Sequence, residues 1–221
     1  MAPAPKSIGL SPGLHAYLLE HGTPPDAVLA TLIERTEAEL GDLSRMQIAP
    51  EQGAFMTLLT RLIGARTAVE VGTFTGYSAL CIARGLADGG RLTCCDVSEE
   101  WAAIAQDAWA AAGVADRIDL RIAPALETIA AMPEAEHVDL AFIDADKEHY
   151  LDYYEALLPR LRRNGLLLVD NTLWSGAVID PGARDASTVA IRAFNDVVAA
   201  DDRVDTVMLA VSDGLTLLRK R

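Results

Sequence analysis

The sequence is poor in lysine and in aromatic residues, and it has no long apolar run. Lys6, Lys147 and Lys220 are its only lysines, against 16 arginines, and aromatic residues make up 5% of the 221 residues. A formal net charge of −13 argues against a broad nucleic-acid-binding face. No apolar run reaches the roughly 18 residues of a membrane span, and no signal peptide is visible. We therefore expect a cytoplasmic protein that contacts neither nucleic acid nor membrane.

Cysteine is also scarce. Cys81, Cys94 and Cys95 lie in predicted core segments, their number is odd, and none has C-x-x-C spacing. This usage predicts reduced, buried thiols rather than disulfides or a zinc site. A length of 221 residues with 51% hydrophobic content fits one domain (residues 1–221), in which residues 1–64 form an N-terminal helical extension.

A glycine turn is the most informative stretch that is present. Residues 69–78 read Val-Glu-Val-Gly-Thr-Phe-Thr-Gly-Tyr-Ser, which predicts a strand end, a turn and a helix start. That arrangement places free backbone N–H groups around a nucleotide-like ligand. About 20 residues further on, Asp96 ends the next strand pattern, where a carboxylate can accept both hydroxyls of a ribose.

Two residues of the turn argue against a dinucleotide. The G-x-G-x-x-G pattern requires glycine at position 74, and this chain has Phe74, which crowds a pyrophosphate. Glu70 adds a negative charge that repels phosphate and suits a cation. S-adenosyl-L-methionine is an adenosine that carries a sulfonium and no phosphate, and it fits this pattern.

The remaining pattern alternates strands and helices, which is typical of a parallel sheet covered on both faces. A loop from 172 to 185 and a final helix precede two strands that form a hairpin around Ser212-Asp213-Gly214. The expected fold is therefore α/β: a class I SAM-dependent methyltransferase (Rossmann-like) fold with a seven-stranded, mostly parallel sheet, a C-terminal antiparallel hairpin and helices on both faces. The predicted strands are 67–73, 91–97, 118–123, 138–145, 165–171, 205–211 and 215–219, and the predicted helices are 77–86, 98–112, 125–131, 147–161 and 186–200.

Three further helices are predicted ahead of the first strand. Ser11 caps the first, Thr23 caps a second that runs to about Leu40, and the third covers 50–63. Their apolar faces either cover the sheet or form a dimer contact or substrate lid.

Polar residues follow the apolar strands where the carboxyl ends of a parallel sheet bind ligands. Asp144, Asp170 and Asn171 offer three hard oxygen ligands, which suit Mg²⁺ or Ca²⁺ rather than zinc. Such a cation can bind both oxygens of a vicinal aromatic diol, stabilise its phenolate and direct one oxygen toward a methyl donor. Asp146, near the start of the 147–161 helix, is either part of this site or a helix cap.

Lys147 lies at the same edge in a chain that otherwise prefers arginine, which favours a general base with a lowered pKa. Trp174 follows the Asp170-Asn171 pair and is predicted to contact the acceptor. The four histidines lack metal-ligand spacing and are interpreted as surface or structural residues.

Together these motifs resemble the caffeoyl-CoA O-methyltransferase family, cation-dependent enzymes related to catechol O-methyltransferase. The resemblance rests on residues 69–78, Ile143-Asp144-Ala145-Asp146-Lys147 and residues 170–176, and it is of the bacterial type. It implies a homodimer, a divalent cation (Mg²⁺ first, Ca²⁺ or Mn²⁺ as alternatives) and a small aromatic hydroxyl acceptor. Few basic residues occupy the N-terminal 20 positions, so a free catechol fits better than a CoA thioester.

The resemblance also assigns roles to individual positions. Cofactor contacts fall on Met46, Ile48, Glu70, Gly72, Thr73, Ser78, Asp96, Ala125, Asp144 and Asp146; the metal ligands are Asp144, Asp170 and Asn171; the catalytic residues are Lys147 and Asp144; and the acceptor contacts are Lys147, Asn171, Trp174 and Ser175.

Two other functions are compatible with parts of the pattern. An NAD-dependent short-chain oxidoreductase would need a Tyr-x-x-x-Lys pair, and the sequence has none. A catalytically silent protein that binds S-adenosyl-L-methionine or metal is disfavoured by the intact set of Asp144, Lys147, Asp170 and Asn171, and a methyl-transfer assay separates it from an enzyme.

Overall fold

The structure is a computed structural model and describes residues 8–221. The start of the predicted extension, including Lys6, lies outside the described residues. Three α-helices precede the sheet: α1 (Pro12–His21), α2 (Ala27–Leu40) and α3 (Pro50–Leu62), with a 3₁₀ turn (Gly41–Met46) between the last two. Ser11 caps α1 as predicted, by accepting a hydrogen bond from the amide of Leu14. Helix α2 is capped by Asp26 rather than by the predicted Thr23, because the aspartate side chain accepts from the amide of Leu29.

Seven strands form one sheet in the order β3-β2-β1-β4-β5-β7-β6. Strands β1 to β5 are parallel, and β7 runs antiparallel to both β5 and β6. The predicted α/β fold with a C-terminal hairpin is therefore confirmed. The strands are β1 (Thr67–Val71), β2 (Arg91–Asp96), β3 (Ile118–Ile122), β4 (Val138–Ile143), β5 (Leu161–Val169), β6 (Val204–Leu209) and β7 (Leu215–Lys220).

Helices cover both faces of this sheet. Alternate residues of the central strands point to opposite faces, so Leu140 and Phe142 join one apolar cluster while Ala141 and Ile143 join the other. The first cluster includes side chains from α2 to α5, and the second includes side chains from α6, α7 and α8. The bounds of the helices that follow the first strand are α4 (Tyr77–Gly85), α5 (Glu99–Ala111), α6 (Ala125–Ala130), α7 (Tyr150–Leu157) and α8 (Ala186–Ala200).

Two predicted boundaries are wrong around β5. The segment predicted as a helix over 147–161 is a 3₁₀ turn (Lys147–His149) followed by α7. Helix α7 ends before Leu161, because Leu161 pairs with Val138 of β4. The polar run from 162 to 164 continues the strand through a register shift, with Asn164 at a φ of 61°. A bulge accommodates these polar residues, which read as a loop in the sequence.

The carboxyl edge of the sheet is extended by single hydrogen bonds beyond the strands. The amide of Gly72 donates to Cys95 O at 3.0 Å, that of Asp144 to Val71 O at 2.9 Å, and that of Asp170 to Ile143 O at 3.0 Å. This ladder brings the residues that follow β1, β4 and β5 side by side. Among residues 8–221, no helix combines the length and the apolar character needed to cross a membrane.

Candidate active site

A cavity of about 1520 Å³ opens at this carboxyl edge. Its wall combines the loops that follow β1 to β5 with the start of α1 and the segment that leads into α3. All of the predicted site residues except Glu70 line it: Met46, Ile48, Gly72, Thr73, Ser78, Asp96, Ala125, Asp144, Asp146, Lys147, Asp170, Asn171, Trp174 and Ser175.

Glycine is required at two positions of the turn between β1 and α4. Gly72 has a φ of 86°, and a Cβ there would collide with the carbonyl oxygen of Asp144. Gly76 has a φ of 83°, and a Cβ there would lie 2.6 Å from Cβ of Ala105. Only glycine combines a positive φ with so close an approach to a neighbouring atom. The turn is therefore fixed against the loop that follows β4 at Gly72 and against Ala105 at Gly76.

Phe74 has a backbone conformation that residues other than glycine seldom adopt, with a φ of 50°. Its ring meets Trp101 edge-on, with ring centroids 5.0 Å apart, and both residues line the cavity. Backbone strain of this kind costs of order 1–3 kcal/mol and concentrates at binding sites. The aromatic pair forms an apolar wall beside Asp96, and Trp101 is a pocket residue that the sequence analysis missed.

Asp96 accepts four backbone hydrogen bonds. Its Oδ2 accepts from the amides of Thr73 and Phe74 at 2.9 and 2.7 Å. Its Oδ1 accepts from those of Val97 and Ser98 at 2.7 and 2.9 Å. These four bonds tie the glycine turn to the loop that follows β2. Its contact with a ribose stays a prediction.

Glu70 lies beneath the turn and is completely buried. Burial raises the pKa of its carboxyl group to about 8. Its Oε2 accepts a weak hydrogen bond from Cys94 Sγ at 3.4 Å, while the buried Oε1 has no partner. Glu70 is therefore mostly neutral near pH 7, so the negative charge inferred from the sequence is not expressed there.

The helices of the extension support the turn. Thr36 on α2 donates to Thr75 Oγ1 at 3.0 Å, and the Gln47 amide donates to the hydroxyls of both threonines at 3.2 and 3.1 Å. Met46 and Ile48, on either side of Gln47, line the cavity. This network holds the segment before α3 against the glycine turn.

Asp144 and Asp170 bring two carboxyl groups close to each other on the other side of the cavity. Burial, and next the charge of Asp144, raise the pKa of Asp170 above its usual range. Asp170 is 3% exposed; its Oδ1 accepts from the Asn171 amide at 2.7 Å and its Oδ2 from Gln52 Nε2 at 2.8 Å. Gln52 was missed because nothing local in the sequence connects α3 with β5.

Lys147 lies between these carboxylates and the aromatic residues. Its Nζ donates to Asp144 Oδ1 at 3.0 Å and to Tyr150 Oη at 2.6 Å, and it lies 5.7 Å from the ring centroid of Trp174. Burial, and then the charges of nearby aspartates, raise the pKa of Tyr150 well above 10, so its hydroxyl stays neutral. Tyr150 is a third missed residue, and its position three residues after Lys147 is the signal that could have identified it.

Asp146 is not a side-chain helix cap. Its Oδ1 accepts from the Tyr153 hydroxyl at 2.6 Å, and its Oδ2 pairs with Nδ1 of His149. That pairing raises the pKa of His149. His149 and His15 both line the cavity, and His15 contacts Glu51 Oε1 at 3.0 Å, so each has a partner at the site.

The loop that follows β5 holds three non-glycine residues at positive φ: Asn171 at 55°, Trp174 at 46° and Ser175 at 50°. The turn between β6 and β7 supports it, since Asp213 O accepts from the Leu173 amide at 3.0 Å. Strain concentrated in a supported loop is typical of a binding site.

The donor set fits a divalent cation. Asp144 and Asp170 are neighbouring carboxylates, and Asn171 adds an amide oxygen at the same edge. Within residues 8–221 no group of three or more His, Cys, Asp or Glu side chains is arranged to hold a metal. The candidate ligand set has only two such side chains, and its third member is the Asn171 amide. The repulsion between the buried Asp170 and the partly buried Asp144 is the kind of arrangement that a bound cation relieves.

Comparison with known proteins decides the family. The sequence profile described as O-methyltransferase matches residues 20–221. The chain belongs to the O-methyltransferase family. It is 38% identical over 208 residues to "Probable caffeoyl-CoA O-methyltransferase 1" of Dictyostelium discoideum, covering 92% of this chain and 90% of that protein. It is 41% identical over 173 residues to "Catechol O-methyltransferase domain-containing protein 1" of Mus musculus, covering 77% of this chain and 66% of that protein.

A solved structure agrees with the fold. The O-methyltransferase from Bacillus cereus, crystallised in complex with SAH, superposes with a TM-score of 0.86 at 31% identity, covering 95% of this chain and 97% of that one. This chain is therefore a SAM-dependent O-methyltransferase of the caffeoyl-CoA type. The oxidoreductase alternative is excluded by this membership.

Proposed function

We propose that this methyltransferase transfers the methyl group of S-adenosyl-L-methionine to one hydroxyl of a vicinal dihydroxy aromatic acceptor in a divalent-cation-dependent reaction. The products are the O-methyl ether and S-adenosylhomocysteine. The observation that carries the proposal is the juxtaposition of Asp144, Asp170 and Asn171 with Lys147 in one cavity.

Asp144, Asp170 and Asn171 are the residues that would hold the cation, with Mg²⁺ as the leading candidate and Ca²⁺ or Mn²⁺ as alternatives. When bound there, the cation would supply Lewis-acid chemistry, lowering the pKa of the acceptor hydroxyl and orienting the diol. The chain contributes a buried, pre-oriented carboxylate at Asp170 and a neighbouring apolar wall at Trp174.

Lys147 is the proposed general base. The acceptor hydroxyl gives its proton to Nζ, the oxygen forms a bond to the methyl carbon, and the bond between that carbon and sulfur breaks. Asp144 Oδ1 and Tyr150 Oη lie within 3.0 Å of Nζ, so the ammonium that results has hydrogen-bond acceptors in place. No covalent enzyme intermediate is needed.

Charge favours a free catechol over a CoA thioester. In the described part of the chain, the cavity is lined by seven Asp or Glu side chains, and Arg45 and Lys147 are its only Lys or Arg residues. A polyanionic CoA tail would meet a predominantly acidic wall. The name of the mouse relative points to a catechol and that of the Dictyostelium relative to caffeoyl-CoA. Rates of methyl transfer to these two acceptors are therefore the comparison to make.

We also propose that residues 1–221 act as one methyltransferase domain with residues 1–64 as its helical extension, and that the protein is a homodimer, as the family resemblance implies. Light scattering coupled to size-exclusion chromatography measures the second point directly. A monomer at micromolar concentration contradicts it.

The deciding experiment measures methyl transfer from S-adenosyl-L-methionine to unsubstituted catechol by mass spectrometry. Activity should be lost after EDTA treatment and return when Mg²⁺ is added, because the diol then again has a cation to bind it. Asp170→Asn keeps the shape of the side chain, removes one charge and should lower the affinity for Mg²⁺. Caffeoyl-CoA in the same assay should have a lower kcat/KM than catechol.

Two results would contradict the proposal. Full activity after exhaustive EDTA treatment rules out the cation and leaves Lys147 as a purely acid–base catalyst. Binding of S-adenosyl-L-methionine without turnover of catechols, flavonoids or hydroxycinnamates would favour the catalytically silent alternative.

A further inference from the structure

Helix α3 belongs to the N-terminal extension, yet one of its side chains reaches the proposed cation-binding edge. Gln52 Nε2 donates to Asp170 Oδ2 at 2.8 Å, and the two residues are 118 positions apart in the chain. Gln52 is 0% exposed and Asp170 is 3% exposed. Because this contact is shielded from water, it fixes the direction of the carboxylate more strongly than a surface hydrogen bond would.

The position of α3 is itself fixed by close packing. A Cβ on Gly53 would lie 2.7 Å from Cε1 of Tyr77 and 2.8 Å from Sγ of Cys81, so glycine lets α3 approach α4 directly. Thr57 Oγ1 donates to the carbonyl of Cys81 at 2.9 Å one turn later. Helix α3 therefore cannot rotate without breaking this contact, and Gln52 is held toward β5.

The two donors on Asp170 leave little freedom to its carboxylate. Oδ1 is held by the Asn171 amide and Oδ2 by Gln52. Reversing the Gln52 amide would place its oxygen against a carboxylate oxygen, so the donating orientation is set by electrostatics. Each carboxylate oxygen keeps further lone pairs for a cation.

We propose that Gln52 is a positioning residue that orients Asp170 for the divalent cation and so couples the N-terminal extension to the cation site. The inference rests on the proposed function, because it needs a cation at that edge. Residues that hydrogen-bond to a metal ligand usually change metal affinity by about 10–100-fold when they are replaced.

The test is Gln52→Met, which keeps length and packing but removes the donor. Calorimetric titration of Mg²⁺ into protein saturated with SAH should show an affinity about 10–100-fold lower than that of the wild type. The affinity for SAH should not change. With catechol as acceptor, the Mg²⁺ concentration for half-maximal rate should rise by a similar factor, while kcat at saturating Mg²⁺ recovers.

Gln47→Met is the matched control, because Gln47 is a partly buried glutamine of the same segment that bonds to the cofactor turn instead. It should weaken SAH binding and leave Mg²⁺ binding unchanged. If Gln52→Met does not fold, Gln52→Asn, whose amide is one methylene too short to reach Asp170, provides the same comparison.

Three outcomes would overturn the inference. A lower melting temperature for Gln52→Met with unchanged Mg²⁺ affinity makes Gln52 only structural. Equal effects of the two glutamine variants on both ligands indicate general loosening of the extension. If wild-type protein neither binds Mg²⁺ nor loses activity in EDTA, the proposed function itself fails, and that result is distinct from a failure confined to the variant.

Discussion

The two halves of the cavity are built by different means. The half proposed for the cofactor is made largely of backbone: the glycine turn and the loop after β2 share Asp96, which accepts from four amides between Thr73 and Ser98. The half proposed for the acceptor is made of side chains: Gln52 of α3 is bonded to Asp170, and Lys147 is bonded to Asp144 three residues before it. Backbone amides therefore organise one half, and side-chain contacts organise the other.

The halves also treat negative charge differently. Around the cofactor turn, backbone amides solvate Asp96 and burial neutralises Glu70. At the acceptor edge, the charge of Asp144 raises the pKa of the neighbouring Asp170, and Lys147 is hydrogen-bonded to Asp144 but not to Asp170. Two neighbouring carboxyl groups at the acceptor edge suit a small cation.

The largest effect is expected at Lys147. Lys147→Ala should lower kcat by about 10²–10⁴-fold, because that is the usual contribution of a placed base, and it should leave SAH affinity nearly intact. Lys147→Arg should not restore the rate, since a guanidinium stays protonated and cannot accept the proton. Single-turnover kinetics measures the rate of methyl transfer, and calorimetry measures the affinity for SAH. A near-normal kcat for the arginine variant at neutral pH would make Lys147 an electrostatic residue.

Asp96 provides the complementary test on the cofactor half. Asp96→Ala should weaken SAH binding by about 10-fold or more and lower the free energy of unfolding, because hydrogen bonds to a charged group contribute about 1.5–3 kcal/mol each. Mg²⁺ affinity should be spared if the halves are separate. Asp119→Ala removes a partly exposed carboxylate of β3 and serves as the control. Unchanged SAH affinity in Asp96→Ala would remove Asp96 from the cofactor site.

The smallest effect concerns Glu70 and pH. The pKa of Glu70 is raised to about 8 in the folded protein from 4.5, so its stabilising contribution is complete below pH 4.5 and is lost as pH rises toward 8. Glu70→Gln does not titrate, so its melting temperature relative to wild type should increase across that window, by about 2–4 °C per kcal/mol. Thermal unfolding between pH 5 and 8 measures this. Glu134→Gln, at an exposed position, should show no such trend.

If the difference for Glu70→Gln stays flat with pH, Glu70 is ionised in the folded protein. The contrast between a neutral cofactor turn and a charged acceptor edge would then be wrong.

The sequence by itself determined the fold class and most of the pocket. Strand alternation, the hairpin turn at Ser212-Asp213-Gly214 and the glycines at 72 and 76 act through the local chain, so their consequences can be predicted from neighbouring residues. Residues at the ends of parallel strands necessarily meet at one edge, which is why Asp96, Asp144 and Asp170 were found.

Tertiary structure alone decided the rest. The capture of Asp170 by Gln52 depends on how Gly53 packs α3 against α4, and the neutralisation of Glu70 depends on complete burial. The early start of β5 depends on pairing between Leu161 and Val138. Each of these effects arises from contacts between residues far apart in the chain, and desolvation and packing there override what the local sequence favours.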